Sequence, residues 1–156
     1  ASRDFGRKDH LNWDHLALMR DLWPGKLVLK GVIAPADVAQ ARALGCDAVV
    51  LSNHGGRQLD HAISPLRILP EARAQAGDMG LLIDGGIRRG TDVIKALALG
   101  ADMVLVGRPF LYAATLGGQP MAERAADILK TEVHRNLGLL GLRGLSEIGP
   151  EILHPV

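Results

Sequence analysis

Two stretches of this chain repeat each other: Asp37-Val38-Ala39-Gln40-Ala41-Arg42-Ala43-Leu44-Gly45-Cys46-Asp47 and Asp92-Val93-Ile94-Lys95-Ala96-Leu97-Ala98-Leu99-Gly100-Ala101-Asp102. Seven of the eleven positions carry the same residue at one constant offset. Each stretch reads as a helix stopped by a glycine. Each then leads into an apolar run, Ala48-Val49-Val50-Leu51 in one copy and Met103-Val104-Leu105-Val106 in the other. Such short runs bounded by turn residues are what buried strands look like. Two further runs precede the helices, Lys26-Leu27-Val28-Leu29-Lys30 and Gly80-Leu81-Leu82-Ile83. The unit is therefore strand–helix–strand, present twice, with a period too long and copies too few for a solenoid. Four strands alternating with helices predict an α/β fold with a parallel sheet. Two such units make four βα modules, half of an eight-stranded barrel, and a half barrel has two open edges that need partners. The reading is the second half of a (β/α)8 TIM barrel, strands 5–8. A small doubly wound sheet is the competing architecture.

The rest of the chain fills in around that unit. Asn12 or Asp14 can cap a helix to about Leu22, closed by Pro24-Gly25. Pro35 and Ser64-Pro65 open helices to Leu44 and about Ala76. A short helix is expected from Phe110 to about Leu116, then a Gly117-Gly118-Gln119-Pro120 break, a long helix from Met121 to Leu140, and one more short helix in the tail. Apolar residues make up 47% of the 156, enough for a core, and the length suits one domain. A net charge of +1 without a basic block argues against a nucleic-acid surface. Cys46, the single cysteine, excludes an internal disulfide and a Cys-based zinc site, and reads as a small buried hydrophobe. His54 and His61 lack clear third and fourth ligands, and His10 and His15 lie in the leading segment, so no metal is expected. No apolar run approaches a membrane span and no signal peptide is visible. The chain opens on a polar, loop-like stretch without Met, Ala1 to Asp9, which suggests a fragment or a processed chain.

Chemistry gathers where the strands end, as it does on the active rim of a barrel. The first strand ends at Lys30, the second at Ser52-Asn53-His54-Gly55-Gly56-Arg57-Gln58-Leu59-Asp60, the third at Asp84-Gly85-Gly86-Ile87-Arg88-Arg89-Gly90, and the fourth at Gly107-Arg108-Pro109. A histidine and an arginine within four residues can hold a base and an anion clamp over one small substrate. The bland alternative is a turn with a solvated His and Arg. The last two loops resemble a phosphate site, with glycines that expose backbone N–H groups and a helix N-terminus behind them. Gly86, Arg88, Gly107 and Arg108 fit it; the alternative is that Arg88 and Arg89 are surface charges beside a tight turn. Lys30, at the end of a buried strand, needs an anionic partner. That partner is either a structural salt bridge or a cofactor that becomes negatively charged.

These four motifs, in this order and spacing, resemble the carboxyl-terminal half of the FMN-dependent 2-hydroxy acid oxidases and dehydrogenases, the family of glycolate oxidase, lactate dehydrogenase and mandelate dehydrogenase. The resemblance runs from Trp13 to about Ile148 and makes residues 1–156 the carboxyl-terminal part of a single such domain. It implies FMN as cofactor and oxidation of an (S)-2-hydroxy acid, of lactate or mandelate type, to the 2-oxo acid. It implies His54 as the catalytic base, active when neutral. Arg57 would grip the substrate carboxylate as a planar fork. Lys30 would lie beside the flavin N1 and C2 carbonyl, Ser52 against the flavin ring, and Asp84 on a ribityl hydroxyl. The rest of the cofactor contact would come from Gly85, Gly86, Ile87, Arg88, Gly107 and Arg108. His61 and Ala62 would stand on the substrate side. The family further implies partners that this chain does not contain: the amino-terminal half-barrel, an electron acceptor (oxygen, a quinone or a cytochrome) and a homo-tetramer. The amino-terminal half would bring an Asp paired with the base, substrate-facing tyrosines and a second Arg. The implied location is cytoplasmic, with peripheral attachment to the inner membrane in some bacterial members. Two alternatives share the phosphate loops: another FMN barrel of nucleotide dehydrogenase or isomerase type, and a non-catalytic half-barrel.

Overall fold

The computed structural model describes residues 11–154; the opening stretch to Asp9, and His10, lie outside them. Helix α1 (Trp13–Leu22) opens with a capping box between Asn12 and His15, so the first of the two cap candidates is the one used. Strand β1 (Val28–Val32) leads to α2 (Pro35–Ala43), β2 (Ala48–Leu51), α3 (Pro65–Ala76), β3 (Gly80–Ile83), α4 (Gly90–Ala98), β4 (Met103–Val104) and α5 (Arg108–Leu139). Proline stands in the first turn of both α2 and α3, where its missing N–H costs nothing.

All four strands are parallel and lie in the order β1-β2-β3-β4. That order decides between the two architectures. Right-handed crossovers between sequential neighbours put every helix on the same face, and a doubly wound sheet would reverse direction at a switch point. Residues facing the helices are sealed: Val49, Leu51, Leu81 and Ile83 are fully buried against Val38, Leu69 and Ala72. The other face is open toward its edges, with Val28 48% and Lys30 46% exposed at the β1 end, whereas Val50 in β2 is buried. Met103, on the β4 edge, is 55% exposed. An open inner face between two unpaired edges is what four units of a barrel present.

The repeat in sequence is also a repeat in hydrogen bonds. Asp47 Oδ2 accepts from Leu27 N–H at 2.9 Å and from Arg20 Nη1 at 3.2 Å. Asp102 Oδ2 accepts from Leu81 N–H at 2.7 Å and from Arg73 Nη1 at 3.0 Å. Arg20 also bonds the carbonyls of Gly45, Trp23 and Gly25, and Arg73 those of Gly100, Gly77 and Met79. Each arginine thus ties the helix before its unit to the closed ends of two strands. The Lys26 ammonium, 2.7 Å from Oδ1, with the Leu27 N–H and Arg20, holds the Asp47 carboxyl down at about 2.

Several boundaries differ from the sequence reading. β1 starts at Val28 and runs on to Val32, so Lys30 lies within it, just before an irregularity at Gly31 that shifts the register. β4 has two residues rather than four; single backbone bonds continue its pairing with β3 on either side, from Asp102 N–H to the Leu81 carbonyl and from Leu105 N–H to the Ile83 carbonyl. α5 begins at Arg108 rather than Phe110 and loses helical geometry at Gly117 and Gly118, the expected break. The tail holds two 3₁₀ turns, Leu145–Glu147 and Pro150–Ile152. Cys46 is buried and unpaired, and burial pushes its thiol up.

Candidate active site

The loops at the carboxyl ends of the strands enclose one cavity of about 390 Å³. Lys30, His54, Arg57, Asp84, Gly85, Gly86, Ile87, Arg88, Gly107 and Arg108 all line it, together with Gly55, Gln58, Leu105, Pro109 and Leu111. Groups far apart in the chain meet there because parallel strands deliver their ends to one rim. Of the eleven residues expected to act as base, grip the substrate carboxylate or hold the cofactor, Ser52 alone is not in the wall. It stands behind it, 1% exposed.

Ser52 is a hub. Its Oγ accepts from Lys30 Nζ at 3.1 Å and from the His54 N–H at 3.1 Å. Lys30 Nζ also lies 2.7 Å from Asp84 Oδ2. The expectation of a buried ammonium is corrected here: Lys30 is half-exposed, because β1 is an edge strand and the inner face beside it is open. Its anionic partner is Asp84, the structural salt bridge of the two alternatives, and the ammonium still faces the cavity.

His54 begins a 3₁₀ turn with Gly55 and Gly56, and takes a positive φ of 55°. Few non-glycine residues do so, and those that do concentrate at functional sites. Asn53 sustains the turn: its Oδ1 accepts from Gly55 N–H at 3.0 Å, and its carbonyl accepts from Gly56 N–H. Gly31 makes room for the imidazole. A Cβ there would come within 2.9 Å of His54 Cε1, and φ at Gly31 is +101°.

The other end of the cavity is built for an anion. Arg88 and Arg108 both face it. Among the described residues the backbone N–H groups of Gly86, Gly107 and Arg108 have no hydrogen-bond partner. A side chain at Gly86 or Gly107 would meet nothing within 4 Å, so it would project into the space a ligand needs. Asp92 turns the loop by accepting from the Arg88 and Arg89 N–H groups, each at 2.9 Å. The two arginines separate here. Arg88 lines the cavity, whereas Arg89 pairs with Glu132 of α5 at 2.6 Å, which holds that carboxyl below its usual range. His61 and Ala62 stay out of the cavity wall; His61 is exposed, beside Asp60.

An FMN-sized group meets suitable chemistry in this cavity. Asp84 Oδ1 is buried without a partner, a position that calls for a hydroxyl donor. Free N–H groups and two arginines suit a phosphate. Sequence comparison agrees: residues 2–155 match the FMN-dependent dehydrogenases.

The chain belongs to the FMN-dependent dehydrogenase family.

Within this family the chain is 44% identical to the (S)-mandelate dehydrogenase of Pseudomonas putida over 142 residues, 91% of this chain and 36% of that protein. It is 47% identical to an L-lactate oxidase of Nostoc sp. over 145 residues, 92% of this chain and 40% of the relative. A crystal structure described as the monotopic membrane protein (S)-mandelate dehydrogenase superposes with a TM-score of 0.90 at 44% identity, over 92% of this chain and 38% of the other. A mandelate oxidase structure with a monooxide FMN adduct superposes with a TM-score of 0.83 at 40% identity, over 87% of this chain and 44% of that one. The family chain described here thus spans about two-fifths of the length of these relatives. Among its described residues no helix is long and apolar enough to cross a membrane, and no group of three or more His, Cys, Asp or Glu side chains could hold a metal ion.

Proposed function

We propose that residues 1–156 are the carboxyl-terminal part of a single FMN-dependent 2-hydroxy acid dehydrogenase or oxidase domain. The reaction is oxidation of an (S)-2-hydroxy acid of lactate or mandelate type to the 2-oxo acid. One observation carries the reading: His54, Arg57, Lys30, Arg88 and Arg108, brought from separate strand ends, line a single cavity. The names of the relatives support the substrate class.

When bound, FMN supplies a two-electron acceptor. Gly86, Arg88, Gly107 and Arg108 hold its phosphate through backbone N–H groups and guanidinium donors. Asp84 Oδ1 accepts from a ribityl hydroxyl, and Gly85 and Ile87 shape the wall between. Lys30, fixed by Ser52 and Asp84, would offer its positive charge to a cofactor that takes up electrons beside it. Arg57 binds the substrate carboxylate with two parallel N–H donors and so orients the α-carbon. His54 takes a proton from the substrate as general base, a role open to the neutral imidazole.

The exposed β1 and β4 edges, and the exposed apolar residues Leu18 and Leu22 of α1 with Trp23 just beyond it, are covered by an amino-terminal half-barrel. The assembled protein is a homo-tetramer that passes electrons on to oxygen, a quinone or a cytochrome. The test is His54→Gln in the assembled protein. FMN should remain bound, while its anaerobic reduction by substrate slows at least ~100-fold, the lower range for loss of a general base. Reduction at the wild-type rate overturns the assignment of the base.

A further inference from the structure

Arg108, the first residue of α5, stands at the anion end of the cavity but also reaches across its mouth. Its Nη2 donates to the carbonyl of Gly55 at 3.2 Å, in the loop that carries His54 and Arg57. The contact joins the β4 loop to the β2 loop and passes over β3, which separates the two strands in the sheet. The guanidinium lies close over Gly55, whose backbone conformation itself favours glycine. A Cβ on Gly55 would lie 3.3 Å from the same Nη2, and φ there is +68°.

Little else holds this loop from outside. Within it, Gly56 N–H bonds the Asn53 carbonyl and Arg57 N–H the His54 carbonyl, both local turns. Ser52 anchors the His54 N–H from the strand end. Among the described residues, Arg108 alone provides a hydrogen bond to residues 54–58 from another strand or helix. The guanidinium has five N–H donors in a rigid plane. The Gly55 carbonyl takes one of them, and the others are available to an anion beside Arg88 and the N-terminus of α5.

We propose that Arg108 is a positioning residue that couples occupancy of the anion end of the cavity to the placement of the His54–Arg57 loop. An anion held by the guanidinium fixes its plane. The Nη2 bond to Gly55 then fixes the turn from which the base and the carboxylate fork project. The coupling rests on the anion-site reading proposed above, and its test uses inorganic phosphate rather than flavin, so the two can fail separately.

The experiment is amide hydrogen exchange of the full chain with and without saturating phosphate, with phosphate binding followed by calorimetry. In the wild type, phosphate slows exchange at Gly55, Gly56 and Arg57. In Arg108→Gln these amides exchange about five- to tenfold faster without phosphate, the scale of one ordinary hydrogen bond lost at a partly exposed site, and phosphate no longer slows them. In Arg88→Gln binding weakens, yet full slowing returns at saturation, because the strut is intact. A merely structural role for Arg108 would raise exchange along β4 and α5 as well; here the change is confined to the loop. Equal slowing by phosphate in Arg108→Gln, or phosphate that binds the wild type without changing the loop, overturns the coupling. Phosphate that does not bind the wild type at all overturns it together with the anion site.

Discussion

Ser52→Ala removes the one hydroxyl that ties β1, the catalytic loop and the cavity wall together. Its consequence can be worked out bond by bond. The His54 N–H loses its acceptor at 3.1 Å. An unbonded buried donor costs ~1–3 kcal/mol. This one is only partly buried and water can reach it from the open side, which puts the loss near 1 kcal/mol. Lys30 loses a 3.1 Å contact, but its side chain is 46% exposed and keeps Asp84 at 2.7 Å, so its loss is at most ~0.5 kcal/mol. The sum is about 1–1.5 kcal/mol. With a urea m-value in the ordinary range of ~1–3 kcal/mol/M, the unfolding midpoint should fall by about 0.3–1.5 M. The same substitution in a Lys30→Met background should cost nearly as much, with coupling under ~0.5 kcal/mol. An unchanged midpoint would refute the hub. So would coupling of ~1 kcal/mol or more, since the stabilisation would then run through Lys30 and not through the His54 backbone.

Three further substitutions probe the same structure from other sides. Gly31→Ala should cost ~1–3 kcal/mol from its left-handed backbone and displace the His54 ring, whereas Gly56→Ala, at φ +75° with nothing within 4 Å, should bear the strain alone. Imidazole proton shifts that move equally in both variants would show that Gly31 does not make room for the ring. Asp47 has a folded value of about 2 against ~3.9 unfolded, so its contribution to stability is present above about pH 4 and lost as pH falls toward 2. Asp47→Asn should flatten the urea midpoint across that window, and an equally steep acid decline in the variant would contradict the clamp.

The fold was legible because its signals are local. The helix–glycine–strand echo, Pro35 and Pro65 in first turns, and the Gly117-Gly118 break all lie within a few residues of what they determine. Lys30 was harder to place, since the length of β1 and the burial of its inner face depend on how many neighbours the strand has. The convergence of the site residues was likewise readable once parallel strands were assumed. The Arg20 and Arg73 clamps were not, because their partners come from separate strand ends. Arg89 and Arg88 look alike in sequence and differ only through Glu132, 43 positions on. Arg108 carried a phosphate signal in its Gly-Arg-Pro setting, but nothing near it in the chain points to the Gly55 carbonyl, 53 positions back.

The central claim is that the cavity takes FMN so that a 2-hydroxy acid can reduce it at His54 and Arg57. The most direct measurement is the visible spectrum of the chain assembled with its amino-terminal half and FMN, recorded before and after anaerobic addition of (S)-mandelate or L-lactate. A protein-bound flavin band should bleach with one or both acids. Bound flavin that neither acid bleaches would contradict the substrate assignment, and an assembled barrel that leaves FMN free in solution would contradict the site itself.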